Sequence, residues 1–202
     1  MPLLADHAID ASLSLVSISN LVYYGADKSS YASTAAYPDK SINLLGGPQQ
    51  LDSLKTLLIV TARHRFRVGK FFFNNQGTYT QGGNGVGLRI PALVAESRVY
   101  YQTHVFKKAL LAQVGAEVYY QSNFRADGYS PSTQQFYVQD TFTIPKYAVA
   151  SVFLTADIKA ATIFLKVAYV NQGLDAGGYF TTPYYTGYPR RLQFGVRWRF
   201  FT

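Results

Sequence analysis

The sequence predicts an all-β fold: an antiparallel, up-and-down β-barrel that crosses a membrane with its strands. Three observations carry this. Apolar and polar residues alternate with period two through about eight segments. The connections between those segments alternate between short and long. Charged residues make up only 15% of the 202 residues while aromatics reach 16%, against roughly 25% charged in soluble globular proteins.

The segments follow in order. Residues 10–24 read as extended, with a slip in the alternation near Leu15-Val16 that predicts a bulge. In 55–68, Thr56, Leu58, Val60, Ala62, Phe66 and Val68 oppose Lys55, Leu57, Ile59, Thr61, Arg63, Arg65 and Arg67. Residues 70–80 set Phe71, Phe73 and Tyr79 against Asn74, Gln76 and Thr78; residues 94–105 set Ala95, Val99 and Tyr101 against Glu96, Arg98, Gln102 and His104. The clearest alternation lies in 110–121, where Leu110, Ala112, Val114, Ala116, Val118 and Tyr120 oppose Gln113, Gly115, Glu117 and Gln121. Segments 148–158, 161–171 and 192–200 repeat it, the last pairing Leu192, Phe194, Val196, Trp198 and Phe200 against Arg191, Gln193, Arg197 and Arg199. Each segment is near the 9–11 residues a tilted membrane strand needs. Short turns are expected at 68–70, 106–108 and 159–160, and long loops at roughly 25–50, 81–91, 122–146 and 172–189. The whole chain, 1–202, reads as a single barrel domain.

Composition removes several classes. Without Cys there is no disulfide framework, zinc-thiolate site or thiol nucleophile. Apolar runs stop at stretches such as Leu57-Leu58-Ile59-Val60, far short of the ~20 residues of a spanning helix. The opening MPLLADHAID lacks the basic and apolar regions of a signal peptide. A net charge of +8 raises nucleic acid as a partner, but the basic residues sit in short clusters without a binding signature, and none is expected.

Alternation alone does not say which face looks inward. A soluble lipocalin-like barrel hides its apolar face; a membrane barrel turns it to lipid. Successive Arg on the polar faces suit a wet lumen better than an exposed surface. Aromatics near strand ends, Tyr101, Tyr120, Tyr169, Trp198 and Phe200 among them, suit interfacial girdles. The lipid reading is therefore preferred.

The last segment, RRLQFGVRWRFFT, closes on aromatics in the manner of the assembly signal of outer-membrane barrels. With VYYQTHVFKKALLAQVGAEVYY (99–120), ADGYSPSTQQFYVQ (126–139) and YFTTPYYTGYPRRLQFGVRWRFF (179–201), the chain resembles the Putative porin family of Bacteroidetes outer membranes. Family members are much longer, so the resemblance implies a C-terminal portion of a larger barrel, with the signal peptide lost by truncation. It also implies a bacterial outer-membrane location, surrounding outer-membrane lipid, and contact with the barrel-assembly machinery through the C-terminal strand. A passive channel is the implied activity, without a named solute.

The candidate pore-lining residues are Arg63, Arg65, Arg67, Arg98, Arg191, Arg197, Arg199 and Lys166, with Glu96, Glu117 and Asp157 the acidic residues on the same faces. Lining a channel, their field would favour anions. In the plainer reading the acids pair with neighbouring Arg as struts, and cations near the short turns anchor at headgroups. The glycine-rich Gly82-Gly83-Asn84-Gly85-Val86-Gly87 lacks the strand–helix context of a phosphate loop and reads as a flexible outer loop. Ser97 with a His from a neighbouring strand is conceivable as a nucleophile, yet no spacing supports it; neither catalysis nor a metal or other cofactor is expected. Segment 122–146 is long enough to constrict the pore or to meet a partner, with a solvated outer loop as the simpler expectation. The expected function is passive diffusion of small hydrophilic solutes, with anion preference. The alternatives are a non-conducting membrane anchor and a soluble ligand-binding barrel.

Overall fold

The computed structural model describes residues 7–25, 47–131, 134–174 and 178–200. Most of the expected 25–50 loop, the opening hexapeptide and the final two residues lie outside them. Eight long strands follow in order: β1 (His7–Ile18), β2 (Lys55–Val68), β3 (Phe71–Gln81), β4 (Leu93–Val105), β5 (Leu110–Gln121), β6 (Tyr147–Ile158), β7 (Ala161–Ala168) and β8 (Arg191–Trp198). Each pairs antiparallel with its sequence neighbours in one up-and-down sheet. The expected fold class is thus borne out. Among the described residues β1 and β8 do not pair, and the sheet is open at both edges.

Two expectations at strand ends are corrected. β1 pairs with β2 in unbroken register from His7↔Phe66 to Ile18↔Lys55, with no bulge at Leu15-Val16. The alternation slips there because Val16 and Ile18 stand on the charged face, opposite Leu57 and Lys55. The break comes at Asn20, whose φ of 54° suits a residue tolerant of the left-handed region. Beyond it Leu21–Gly25 pairs with Gly47–Leu51. β7 ends at Ala168 and not at 171, because Tyr169 takes a φ of 57° and leaves the ladder.

The connections sort by rim as expected. Gly69 (φ 61°) makes the β2–β3 turn, and the Arg67 Nε donates to its carbonyl at 2.8 Å. Phe106, Lys107 and Lys108 turn from β4 to β5 with φ of 51°, 52° and 73°, and Lys159 (φ 51°) turns from β6 to β7. The opposite rim carries small hairpins: Asn84–Gly85 with Leu88–Arg89, Gly128–Ser130 with Gln135–Tyr137, and Phe180–Thr182 with Tyr185–Thr186.

Segment 122–146 is more than a solvated loop. Gln139 holds it from inside: its Nε2 donates to the Ala126 and Phe142 carbonyls at 2.5 and 2.8 Å, and its Oε1 accepts from the Phe142 N–H at 2.7 Å. Ile144 is fully buried (0% exposed). The Val138 N–H reaches the Tyr24 carbonyl at 2.7 Å, tying the loop after β5 to the hairpin after β1. Arg89, its side chain only 5% exposed, clamps the glycine-rich hairpin to this segment through Asp140 at 2.6 Å. The glycine-rich stretch is therefore a hairpin with defined partners, not a free loop.

The strands slide as the sheet advances. One row of opposed residues runs His7, Phe66, Phe73, Val99, Ala116, Val152, Val167, Leu192. It enters β1 at the short-turn end and leaves β8 at the long-loop end. That is a slide of roughly one residue per strand, which at about 3.3 Å rise and 4.8 Å spacing means a tilt of about 35–40°. Membrane barrels tilt by about 35–45°.

Candidate functional site

The pairing divides the side chains into two faces. Every Asp, Glu, Lys and Arg within β1–β8 falls on one of them: Asp10, Lys55, Arg63, Arg65, Arg67, Glu96, Arg98, Glu117, Asp157, Lys166, Arg191 and Arg197. The other face carries only apolar and uncharged polar side chains, with His7 and His64 its titratable imidazoles. Nothing in the described chain covers that apolar face. Ile9 is 73% exposed, Phe194 68% and Trp198 61%. An uncovered apolar surface of this extent is unsuited to water and matched to hydrocarbon.

On the charged face six of the expected residues converge. Arg63, Arg65, Glu96, Arg98, Glu117 and Lys166 line one cavity of about 500 Å³, together with Asn74, Gln76, Tyr119 and Ser151. The register explains the convergence, since Arg65, Asn74, Arg98, Glu117 and Ser151 form one row across β2–β6. Asp10, Arg63, Gln76, Glu96 and Tyr119 form the next row toward the long loops.

Their charges are handled unequally. Glu117 pairs with Lys166, which reaches over β6 from β7. Arg65 meets Asp10 at 3.4 Å, both largely exposed, so the pair is weak. Arg63 donates from Nε and Nη2 to the neutral Gln76 Oε1 at 3.0 and 2.8 Å. Arg98 lies over Phe153, 4.1 Å from ring centroid to guanidinium carbon, and its buried Nε has no hydrogen-bond partner. Glu96 makes no ion pair among the described residues.

The remaining candidates stand apart from this cavity. Asp157 accepts from the Thr162 hydroxyl at 2.5 Å. Arg197 is opposed to Thr162. Arg199 donates to the Lys159 turn carbonyl at 3.0 Å. Arg191 sits at the long-loop end of β8 with its guanidinium carbon 4.0 Å from the Tyr188 centroid. Arg67 belongs to a separate concavity of about 440 Å³ at the short-turn rim, shared with Lys70, His104, Lys107 and Lys108. These residues make a cationic patch at that rim.

Among the aromatics, Tyr101, Tyr120 and Trp198 take apolar-face positions, and Phe200 is exposed. Tyr169 is corrected: its side chain is buried and packs edge-on against Tyr179, 5.1 Å between centroids. Because it leaves the ladder in a left-handed conformation, its ring turns to Tyr179 and is not exposed on the apolar face.

Phe72, Tyr100, Phe153 and Phe164 point to the charged side and were not singled out by alternation. Phe72 and Tyr100 stack at 5.1 Å, and Tyr100 and Phe153 stand 6.4 Å apart. Phe72, Tyr100 and Phe153 make an aromatic belt on the short-turn side of the two charged rows. Their signal was parity, since each lies two residues from Asn74, Arg98, Ser151 or Lys166 in its strand. Gly115, between Tyr100 and Phe153 in register, lets this belt close up. A Cβ there would lie 2.3 Å from the Val99 carbonyl oxygen and 2.6 Å from the Tyr100 Cβ.

The Ser97 hydroxyl donates to the Asn75 Oδ1 at 2.7 Å, and His64 bonds His7 at 3.1 Å. Along that row the order is Ser97, Asn75, His64. The amide stands between hydroxyl and imidazole, which is the wrong order for a base to activate a nucleophile.

A sheet with all of its charge on one face and an uncovered apolar face on the other belongs to a membrane wall. The family model described as Putative porin matches residues 4–202. The chain belongs to this family. No curated protein and no solved structure was found to match it.

Proposed function

We propose that this chain forms wall of an outer-membrane pore through which small hydrophilic solutes diffuse passively, with a preference for anions. The observation that carries the reading is the complete sorting of charge onto one face. Cations outnumber acids there, and the Glu117–Lys166 pair removes one of each sign. The remaining field attracts anions into a low-dielectric passage. The wall performs no chemistry and takes no cofactor; outer-membrane lipid contacts the apolar face. Residues of β8 carry the contact with the assembly machinery. In hydrocarbon the free edges of β1 and β8 require strand partners, because unpaired backbone groups are costly there. Arg197→Glu tests the polarity: the reversal potential in a KCl gradient across a planar bilayer should move toward cation selectivity. An unchanged potential would remove Arg197 from the pore wall.

The belt of Phe72, Tyr100 and Phe153, with Phe164 on the same face, favours a second reading, a non-conducting barrel. Eight strands alone make an interior that side chains can fill, and four inward rings contribute to filling it. Refolding the 202-residue chain in detergent and comparing unboiled with boiled gel mobility separates the two. A mobility shift without conductance supports the anchor; conductance supports the pore.

A further inference from the structure

The charged cavity leaves both signs of charge available, side by side. Arg63 on β2 and Glu96 on β4 share one row with Gln76 between them, which puts their strands about 10 Å apart. If Glu96 served only to neutralise the wall, an Arg partner would be expected. Arg63 instead bonds the neutral Gln76, and Arg98 lies over the Phe153 ring. Gln76 accepts through Oε1, so its amide N–H₂ keeps its donors, as does the Nη1 of Arg63.

We propose that this cavity binds small zwitterions of the α-amino-acid class, with the solute carboxylate on Arg63 and Gln76 and its ammonium on Glu96. The inference rests on the pore reading and adds a discrete site to it. Two opposed charges on strands about 10 Å apart match a solute whose own charges are a few ångströms apart, once a hydrogen-bonded contact is added at each end. A cavity of about 500 Å³ admits such a solute with its first waters. A purely basic wall would hold a carboxylate equally well whether or not an ammonium is attached. The unpaired Glu96 is what makes the attached ammonium favourable.

The test uses four probes of similar size: L-alanine, its uncharged isomer lactamide, lactate and alaninamide. Their fluxes are measured into proteoliposomes carrying the full 202-residue chain, with folding of each variant checked by gel mobility. At low concentration alanine should cross roughly fivefold faster than lactamide, the factor an exposed charge pair supplies, and its flux should saturate. Glu96→Gln should abolish the alanine advantage and leave lactate favoured. Arg63→Gln should abolish it as well and weaken lactate. Equal, non-saturating passage of alanine and lactamide would overturn the zwitterion site while leaving the pore standing. Lactate favoured over alanine in both the native chain and Glu96→Gln would reduce the site to a plain anion wall. Passage of none of the four by a chain that shows the gel mobility shift of a closed barrel would overturn the pore reading and the site with it.

Discussion

Arg98 and Phe153 meet across an intervening strand: guanidinium carbon and ring centroid are 4.1 Å apart although β5 lies between β4 and β6. The contact is possible because the β5 residue in register with Phe153 is Gly115. A side chain there would run into the Val99 carbonyl and the Tyr100 Cα and Cβ on the neighbouring strand. Gly115→Ala places its Cβ 2.3 Å from a backbone carbonyl oxygen, and backbone cannot rotate away. It should lower folding stability by about 2 kcal/mol, within the range of overpacked sites, in urea titrations of the lipid-embedded protein.

The two faces should respond oppositely to charge. Val152 lies mid-strand on the apolar face, between Ala116 and Val167. Val152→Arg should destabilise by about 2–4 kcal/mol, as charges do near the bilayer midplane. Thr155→Arg, on the charged face of the same strand, should cost less than about 1 kcal/mol. Equal penalties in the same urea titrations would mean that the apolar face does not meet lipid.

Glu117 and Lys166 stay about a third exposed, so their pairing is discounted for solvent. A double-mutant cycle with Glu117→Gln and Lys166→Met should give a coupling of about 1 kcal/mol. The coupling should shrink in high salt.

The folded 122–146 segment should be pH-sensitive through Asp127. Burial raises its carboxyl above the ordinary value, partly opposed by the nearby Arg89 guanidinium, and its Oδ1 has no hydrogen-bond partner. Below the ordinary carboxylate range the group is neutral folded or unfolded, and nothing is lost. As pH rises through the raised value, the folded loop must bury a charge that the unfolded one leaves in water, so stability falls. Hydrogen exchange of 122–146 should therefore show Asp127→Asn better protected than the native chain at about pH 7. The difference should vanish near pH 3.

Alternation marked the place of all eight strands, because one face of each is apolar, though it ran the first over 10–24 where β1 spans His7–Ile18. Lys55–Val68 and Leu110–Gln121 emerged with the limits the pattern indicates. Alternation misread the places where the charged face carries apolar residues. Val16 and Ile18 looked like a register slip, and Phe72, Tyr100, Phe153 and Phe164 passed as noise. Rings on the charged face break the simple rule, and only cross-strand register shows that Phe72, Tyr100 and Phe153 adjoin one another. The grouping of Arg63, Glu96 and Arg98 in one cavity, with Asp157 and Arg197 elsewhere, was likewise set by stagger between strands. No single strand's sequence encodes that offset. The loop architecture around Gln139 and Ile144 was illegible for another reason: its contacts join turns far apart in the chain, and no periodicity marks them.

The slide of roughly one residue per strand has a consequence for how a solute would meet the charges. Residues directly opposed across the sheet do not lie at one depth in the membrane. Along the row from Arg65 through Asn74, Arg98 and Glu117 to Ser151, each strand moves the side chains by roughly 3 Å along the membrane normal. The wall is thus a spiral ramp that starts near the short-turn rim at β2 and climbs toward the long loops at β6. In the proposed pore a charged solute would thus meet these charges one after another at successive depths, and not as a single ring.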